Sequence, residues 1–215
     1  MIDLHDVLSY PKKQFTAPTK IDVQGLPVLH AVRDTEEGVI IGVKLKTSGK
    51  TTTRLQVFSG AQIGDGPKRL PSNQENGEIP KGRWLITSKG KQKVPSEILR
   101  ILSAPKVLSV PGSGNTLARG DKKLWMSLFR DDRDAFLYGT LDDYTMEGFA
   151  RRDGIRMHVG TRSLGCFTFS KVQDYRTVLK QLVKATPKHI DTNGKPVAKD
   201  APNSLKVYGT LIVGE

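Results

Sequence analysis

Cys166 is the only cysteine among 215 residues, and His158 stands eight positions before it in "IRMHVGTRSLGCFTF" (155–169). Nucleophilic cysteine chemistry requires a thiolate, a base or ion-pair partner that favours it, and donors for the oxyanion that develops on the attacked carbonyl. Each has a candidate here. His158 is the base, "GTRS" is expected to return the chain tightly so that histidine and cysteine face each other, and Gly165 lets the backbone turn sharply. The Gly165 and Cys166 amides are then the oxyanion donors. The same residues also fit a structural account, because a free cysteine is among the most buried residue types and a strand histidine is often a half-core residue.

The elements that must position these residues read mostly as strands. "GVIIGVKLKT" (38–47), "TTRLQVFSG" (52–60) and "GRWLIT" (82–87) are apolar or alternating, β-branched and bounded by glycine. Further strands are expected at 123–129, 134–141, 155–159, 166–169 and 205–214. Two helices interrupt them. One is "PSEILRILSA" (95–104), with Pro95 in the first turn and Ile98, Leu99 and Leu102 on one face. The other is "KVQDYRTVLKQLVKAT", with Ser170 as its cap and Val172, Tyr175, Leu179 and Leu182 at helical spacing. The expectation is a mostly β fold with two helices, a mainly antiparallel sandwich or open barrel. Residues 1–37 read as an N-terminal arm or cover and 38–215 as the catalytic domain. Long polar loops are expected at 61–78, 109–121 and 187–203.

Composition narrows the function classes. Lys+Arg number 34 against 22 Asp+Glu, a formal charge of +12, which biases the chain toward polyanions such as nucleic acid, anionic membranes or a carboxylate-rich cell wall. The basic residues are dispersed, with no nucleic-acid fingerprint, so no nucleic-acid partner is expected. No apolar run is long enough for a membrane helix. One cysteine makes no intramolecular disulfide and no two-cysteine metal site. "GSGNTLARGD" lacks the ending of a phosphate loop, and "GDG" near position 65 carries no calcium-ligand pattern. The N-terminus has no apolar signal region, so synthesis in the cytoplasm without a standard leader is the expectation.

The stretch "HVGTRSLGC" resembles the active-site signature of YkuD-type L,D-transpeptidases, a histidine followed by a Ser/Thr-x-Gly-Cys segment. Upstream, "LQVFSG…SNQENGEIPKGRWLIT" (55–87) is similar to the first half of that domain, and the pair is most like the branch found among antibacterial effectors of type VI secretion systems. The resemblance covers roughly residues 52–185. It implies an L,D-transpeptidase-like β fold in which Cys166 attacks the diaminopimelate to D-alanine bond of a peptidoglycan tetrapeptide stem. His158 protonates the leaving amine, and water or an amine resolves the acyl-enzyme. Gly165 and Cys166 would hold the oxyanion, while Ser163 and Gly160 would shape the turn or contact substrate. The Val159 or Gly160 carbonyl would orient the imidazole. No metal or organic cofactor is required.

The chain departs from the pattern of that family in a shorter segment between histidine and cysteine than many members have, and at two positions. Leu164 stands where most members have a second histidine, and Thr168 where many have an arginine. Arg156 and Arg162 are the expected substitutes for carboxylate binding. Delivery as an effector implies action in the periplasm of a target bacterium, an immunity protein and a secretion-system component as partners. Two other readings are a papain-like cysteine hydrolase, whose nucleophile usually opens a helix with its histidine far downstream, and a non-enzymatic basic nucleic-acid-binding module with an inert Cys166.

Overall fold

A computed structural model describes residues 21–36, 38–47, 50–65, 68–88, 92–104, 122–131, 144–147 and 150–214. The expected strand at 134–141 and the loop at 109–121 lie outside the described residues. The strands are β1 (Val28–Arg33), β2 (Ile40–Thr47), β3 (Lys50–Phe58), β4 (Gly82–Ser88), β5 (Met126–Arg130), β6 (Tyr144–Glu147), β7 (Ala150–Asp153), β8 (Arg156–Val159), β9 (Phe167–Phe169), β10 (Lys188–Ile190) and β11 (Leu205–Val213). Two α-helices, α1 (Pro95–Leu102) and α2 (Val172–Leu182), and a single 3-10 turn at Lys122–Leu124 complete the regular structure of the described residues.

The main sheet runs β1-β2-β3-β9-β8-β5-β4-β11, and β11 pairs with β1. The fold is therefore a closed eight-stranded barrel, where an open barrel or sandwich was expected. Closure removes the exposed strand edges that an open sheet would have to protect. The long β11 makes this possible. Leu205–Val207 pair with β10, whereas Thr210–Val213 pair in parallel with Val28–Ala31. Thus Val28–Arg33, within the segment read as an arm or cover, form a barrel strand bonded on both sides. Ahead of β1, Ile21 and Leu26 pack with Leu85, Phe129, Ile190 and Val207. β6 and β7 form a separate hairpin. These two strands, β1 and β10 lack the strong alternation that identified the others.

Trp84 and Ile86 on one face of β4 join the main core, and Leu85 on the other joins the smaller cluster. That two-sided burial explains why "GRWLIT" is continuously apolar. The helices seal the main core. α2 buries Val172, Tyr175, Val178, Leu179 and Leu182, each contributing about 1.5–3 kcal/mol from apolar burial. Its cap differs from expectation. The helix starts at Val172, so extended Lys171 takes the N-cap position without a side-chain bond, and the buried Ser170 hydroxyl has no partner. No helix among the described residues is long and apolar enough to cross a membrane.

Tyr175 fastens α2 beneath the strands that carry the candidate site. Fully buried, it stacks on Phe169 at 5.3 Å, and its hydroxyl reaches the carbonyls of Leu124 at 3.0 Å and Met157 at 3.3 Å. Burial pushes its phenol pKa upward, so it stays a neutral donor. Tyr175→Phe should lower unfolding free energy by about 1–3 kcal/mol, because buried carbonyls lose their donor. Urea denaturation checks this, and an unchanged midpoint would remove the tyrosine from the set of core fasteners.

Candidate active site

The histidine and cysteine lie on neighbouring strands, but not in the expected hairpin. β8 and β9 are parallel, with His158 opposite Thr168 and Met157 opposite Phe167. Residues 160–166 therefore run back along the sheet, and Cys166 emerges beside Arg156, two positions before the residue across from His158. Parallel neighbours usually need a connection of a dozen or more residues. Here seven suffice because both strands are short. Alternation then puts Arg156 and His158 on the same face as Cys166 and Thr168, while Met157, Val159, Phe167 and Phe169 point into the core.

His158 is 5% exposed. Its Nδ1 lies 3.0 Å from the Val159 carbonyl, an acceptor only, so Nδ1 carries the proton and Nε2 is left as the acceptor. Nε2 is 3.4 Å from Thr168 Oγ1, which is also 3.5 Å from the Cys166 carbonyl. Trp125 stacks on the imidazole, with ring centroids 4.2 Å apart and planes inclined by 17°. Gly160 leaves room for the ring: a Cβ there would sit 3.3 Å from His158 Cε1. The site thus has an orienting acceptor and an aromatic wall. Among the described residues no hydrogen bond joins His158 to the Cys166 sulfur.

Cys166 is half-buried. Burial raises its thiol pKa, opposed by the Arg156 backbone amide and by the charges of Arg156 and Arg152. Burial lowers the His158 pKa, opposed by the Val159 carbonyl. Both directions favour a neutral thiol beside a neutral imidazole over a preformed ion pair. The amides of Gly165 and Cys166 donate no backbone hydrogen bond among the described residues. Their carbonyls are held: Ser163 Oγ donates to Cys166 O at 2.7 Å, and Ser59 Oγ to Gly165 O at 3.2 Å.

The upstream block reaches this loop through contacts that sequence reasoning missed. Ser59 Oγ also accepts from the Ile79 amide at 2.8 Å, joining the "NGEIP" turn to the cysteine loop. Arg152, only 4% exposed, donates to Ser72 O at 2.6 Å, Gly77 O at 2.7 Å and Glu78 O at 3.0 Å. Gly165 packs on that guanidinium. No local pattern marks Arg152, since its role depends on a turn 74 residues away in sequence. Of the expected carboxylate-binding arginines, Arg156 lines a groove of about 480 Å³ with Gln92, Lys122, Lys123, Trp125 and Gly154. Arg162 and Leu164 are exposed in the return loop and do not line this groove. Of the two tryptophans, Trp84 is core, its indole donating to Pro80 O at 3.0 Å, and Trp125 belongs to the groove.

Comparison with family models, curated proteins and solved structures returned no match to this chain.

Two predictions follow from the geometry. The iodoacetamide labelling rate of Cys166 should climb through pH 7 to 9 without a plateau, because the thiolate fraction is still rising there; a plateau below pH 7 would reveal an ion pair. Gly165→Ala should destabilise the loop. Its φ is +104°, and the added Cβ would meet Arg152 Nη2 at 2.5 Å and Gly77 O at 3.3 Å. Amide exchange should quicken across 160–166 and 72–79, and unchanged exchange at both would refute the coupling.

Proposed function

We propose that this chain is a cysteine-dependent acyl-transfer enzyme, an L,D-transpeptidase or L,D-carboxypeptidase acting on the diaminopimelate to D-alanine bond of peptidoglycan tetrapeptide stems. One arrangement carries the reading. The half-buried Cys166 has amides at its own position and at Gly165 that donate no backbone hydrogen bond among the described residues, beside a histidine whose tautomer leaves Nε2 able to accept a proton. An inert structural cysteine has no need of two such amides or an oriented imidazole. The assignment to this family, its fold and its stem-peptide substrate rests on the two sequence blocks, and the contacts that hold them together support it.

The reaction begins with the Cys166 thiol passing its proton to His158 Nε2 as sulfur attacks the carbonyl carbon. Thr168 occupies Nε2 at rest, and its hydroxyl also lies within reach of the Cys166 carbonyl. Swinging to that carbonyl frees Nε2. Charge developing on the substrate oxygen is met by the Gly165 and Cys166 amides. Val159 O stabilises the imidazolium as a neutral dipole in place of a carboxylate. The Trp125 face favours the same cation. Proton return to the amine releases D-alanine, and water or an amine then attacks the thioester through the same base. Lys122, Lys123 and Arg156 give the adjoining groove the sign that suits carboxylate-bearing stems. Delivery by a contractile secretion system into a target periplasm, opposed by an immunity protein, belongs to the same proposal.

Incubation with diaminopimelate-type muropeptides, followed by mass spectrometry, tests it. Wild-type protein should consume tetrapeptide stems, Cys166→Ala should leave them intact, and His158→Gln should slow consumption about 100-fold or more. Intact tetrapeptides with the wild type, together with no labelling of Cys166 by a thiol probe, would overturn the reading.

A further inference from the structure

A second concavity lies on the β3 side of β9, across from the groove that holds Trp125. It has a volume of about 250 Å³, and its lining includes Ile41, Gln56, Phe58, Arg69 and Ser170. Register places Phe58 opposite Thr168, so the cleft borders the row that carries Cys166 without containing it.

Two of its lining residues carry hydrogen-bond donors. The Ser170 hydroxyl is buried with no hydrogen-bond partner among the described residues, and the half-buried Arg69 guanidinium lies over the Phe58 ring. Arg69 is held in place. Its Cζ lies 4.9 Å from the centre of the Phe58 ring, and its backbone bridges to Gln62. Partial desolvation lowers its proton affinity. A cleft lined by a guanidinium held over an aromatic ring and by a serine whose hydroxyl has no partner among the described residues suits a ligand that accepts from both.

The chemistry of that ligand follows from the lining. The planar guanidinium fork matches a carboxylate, which can accept from a hydroxyl at the same time. Nearby acidic groups are already engaged: Glu78 pairs with Arg33 at 2.6 Å and accepts from the Ile40 amide at 2.9 Å, and Asp174 accepts from the Gln56 amide at 2.9 Å. The apolar walls of Ile41 and Phe58 suit a small apolar substituent beside the charge. We propose that this cleft binds the free carboxylate of an amino acid or of a peptide C-terminus bearing a small apolar side chain, with Arg69 and Ser170 as its donors.

The proposal stands apart from the acyl-transfer reading, because binding is measured without turnover. Wild-type protein is titrated with N-acetylalanine, alanine and N-acetylalanine amide while backbone amide resonances are followed. At least one acid should shift Phe58, Arg69 and Ser170. N-acetylalanine acting alone would assign a peptide terminus, and alanine acting better would assign a free amino acid. The neutral amide and Arg69→Gln should each weaken binding about tenfold or more, whereas Cys166→Ala should leave it unchanged. Arg69→Lys, which keeps the charge but not the fork, guards against misfolding and should bind with intermediate strength. Equal binding of acid and amide, equal binding by folded Arg69→Gln, or no shifts at these three residues with either acid would overturn the assignment.

Discussion

The guanidinium of Arg152 carries a full charge at 4% exposure and is stabilised by carbonyls of the 72–78 turn. A charge at that depth persists only where its donors are met. The turn must therefore keep its shape for Arg152 to stay buried, and Arg152 must stay buried for the turn to keep its shape. Gly165 rests on the same guanidinium, and Ser59 ties the Gly165 carbonyl to Ile79. Gly77 tightens the turn further, since a Cβ there would collide with the Pro71 carbonyl. On the far side of the turn, Glu78 reaches Arg33 and the Ile40 amide and binds β1 and β2 to the same junction. Barrel closure and the cysteine loop thus share one polar knot.

Around Cys166 the electrostatics favour a thiol and an imidazole that rest uncharged. Burial acts on both members of the pair and favours their neutral forms. A carboxylate orienting the imidazole would hold the histidine protonated more strongly; the Val159 carbonyl fixes the tautomer with a dipole alone. Arg152 and Arg156 pull in the other direction by favouring the thiolate. The resting balance is set by desolvation. Any group that fills the groove beside Arg156 would change the surroundings of both.

Much of the barrel was legible in the chain. β2, β3, β4, β8, β9 and β11 each carry an apolar or alternating run that ends close to the expected boundary, and the apolar faces of both helices appear at their predicted spacing. Strands β1, β6, β7 and β10 were not legible, because short, polar or partly covered strands take their conformation from the partners they pair with. Ser170 shows the same limit at a single residue. Its type suits a cap, but packing started the helix one residue later and left the hydroxyl buried without a partner among the described residues.

The sequence by itself determined the inventory of the site. A lone cysteine, a histidine eight residues earlier and a glycine between them restrict the chemistry, because those properties belong to residue types. Tertiary structure alone decided how they meet. Parallel pairing of β8 and β9 sets Cys166 beside Arg156 and puts Thr168 across from His158, and neither follows from an eight-residue spacing. Only the folded chain brings Trp125 onto the imidazole and Arg152 under Gly165. Burial and contact across long sequence separations depend on where the closed sheet places each strand, whereas local pattern records only what each strand can become.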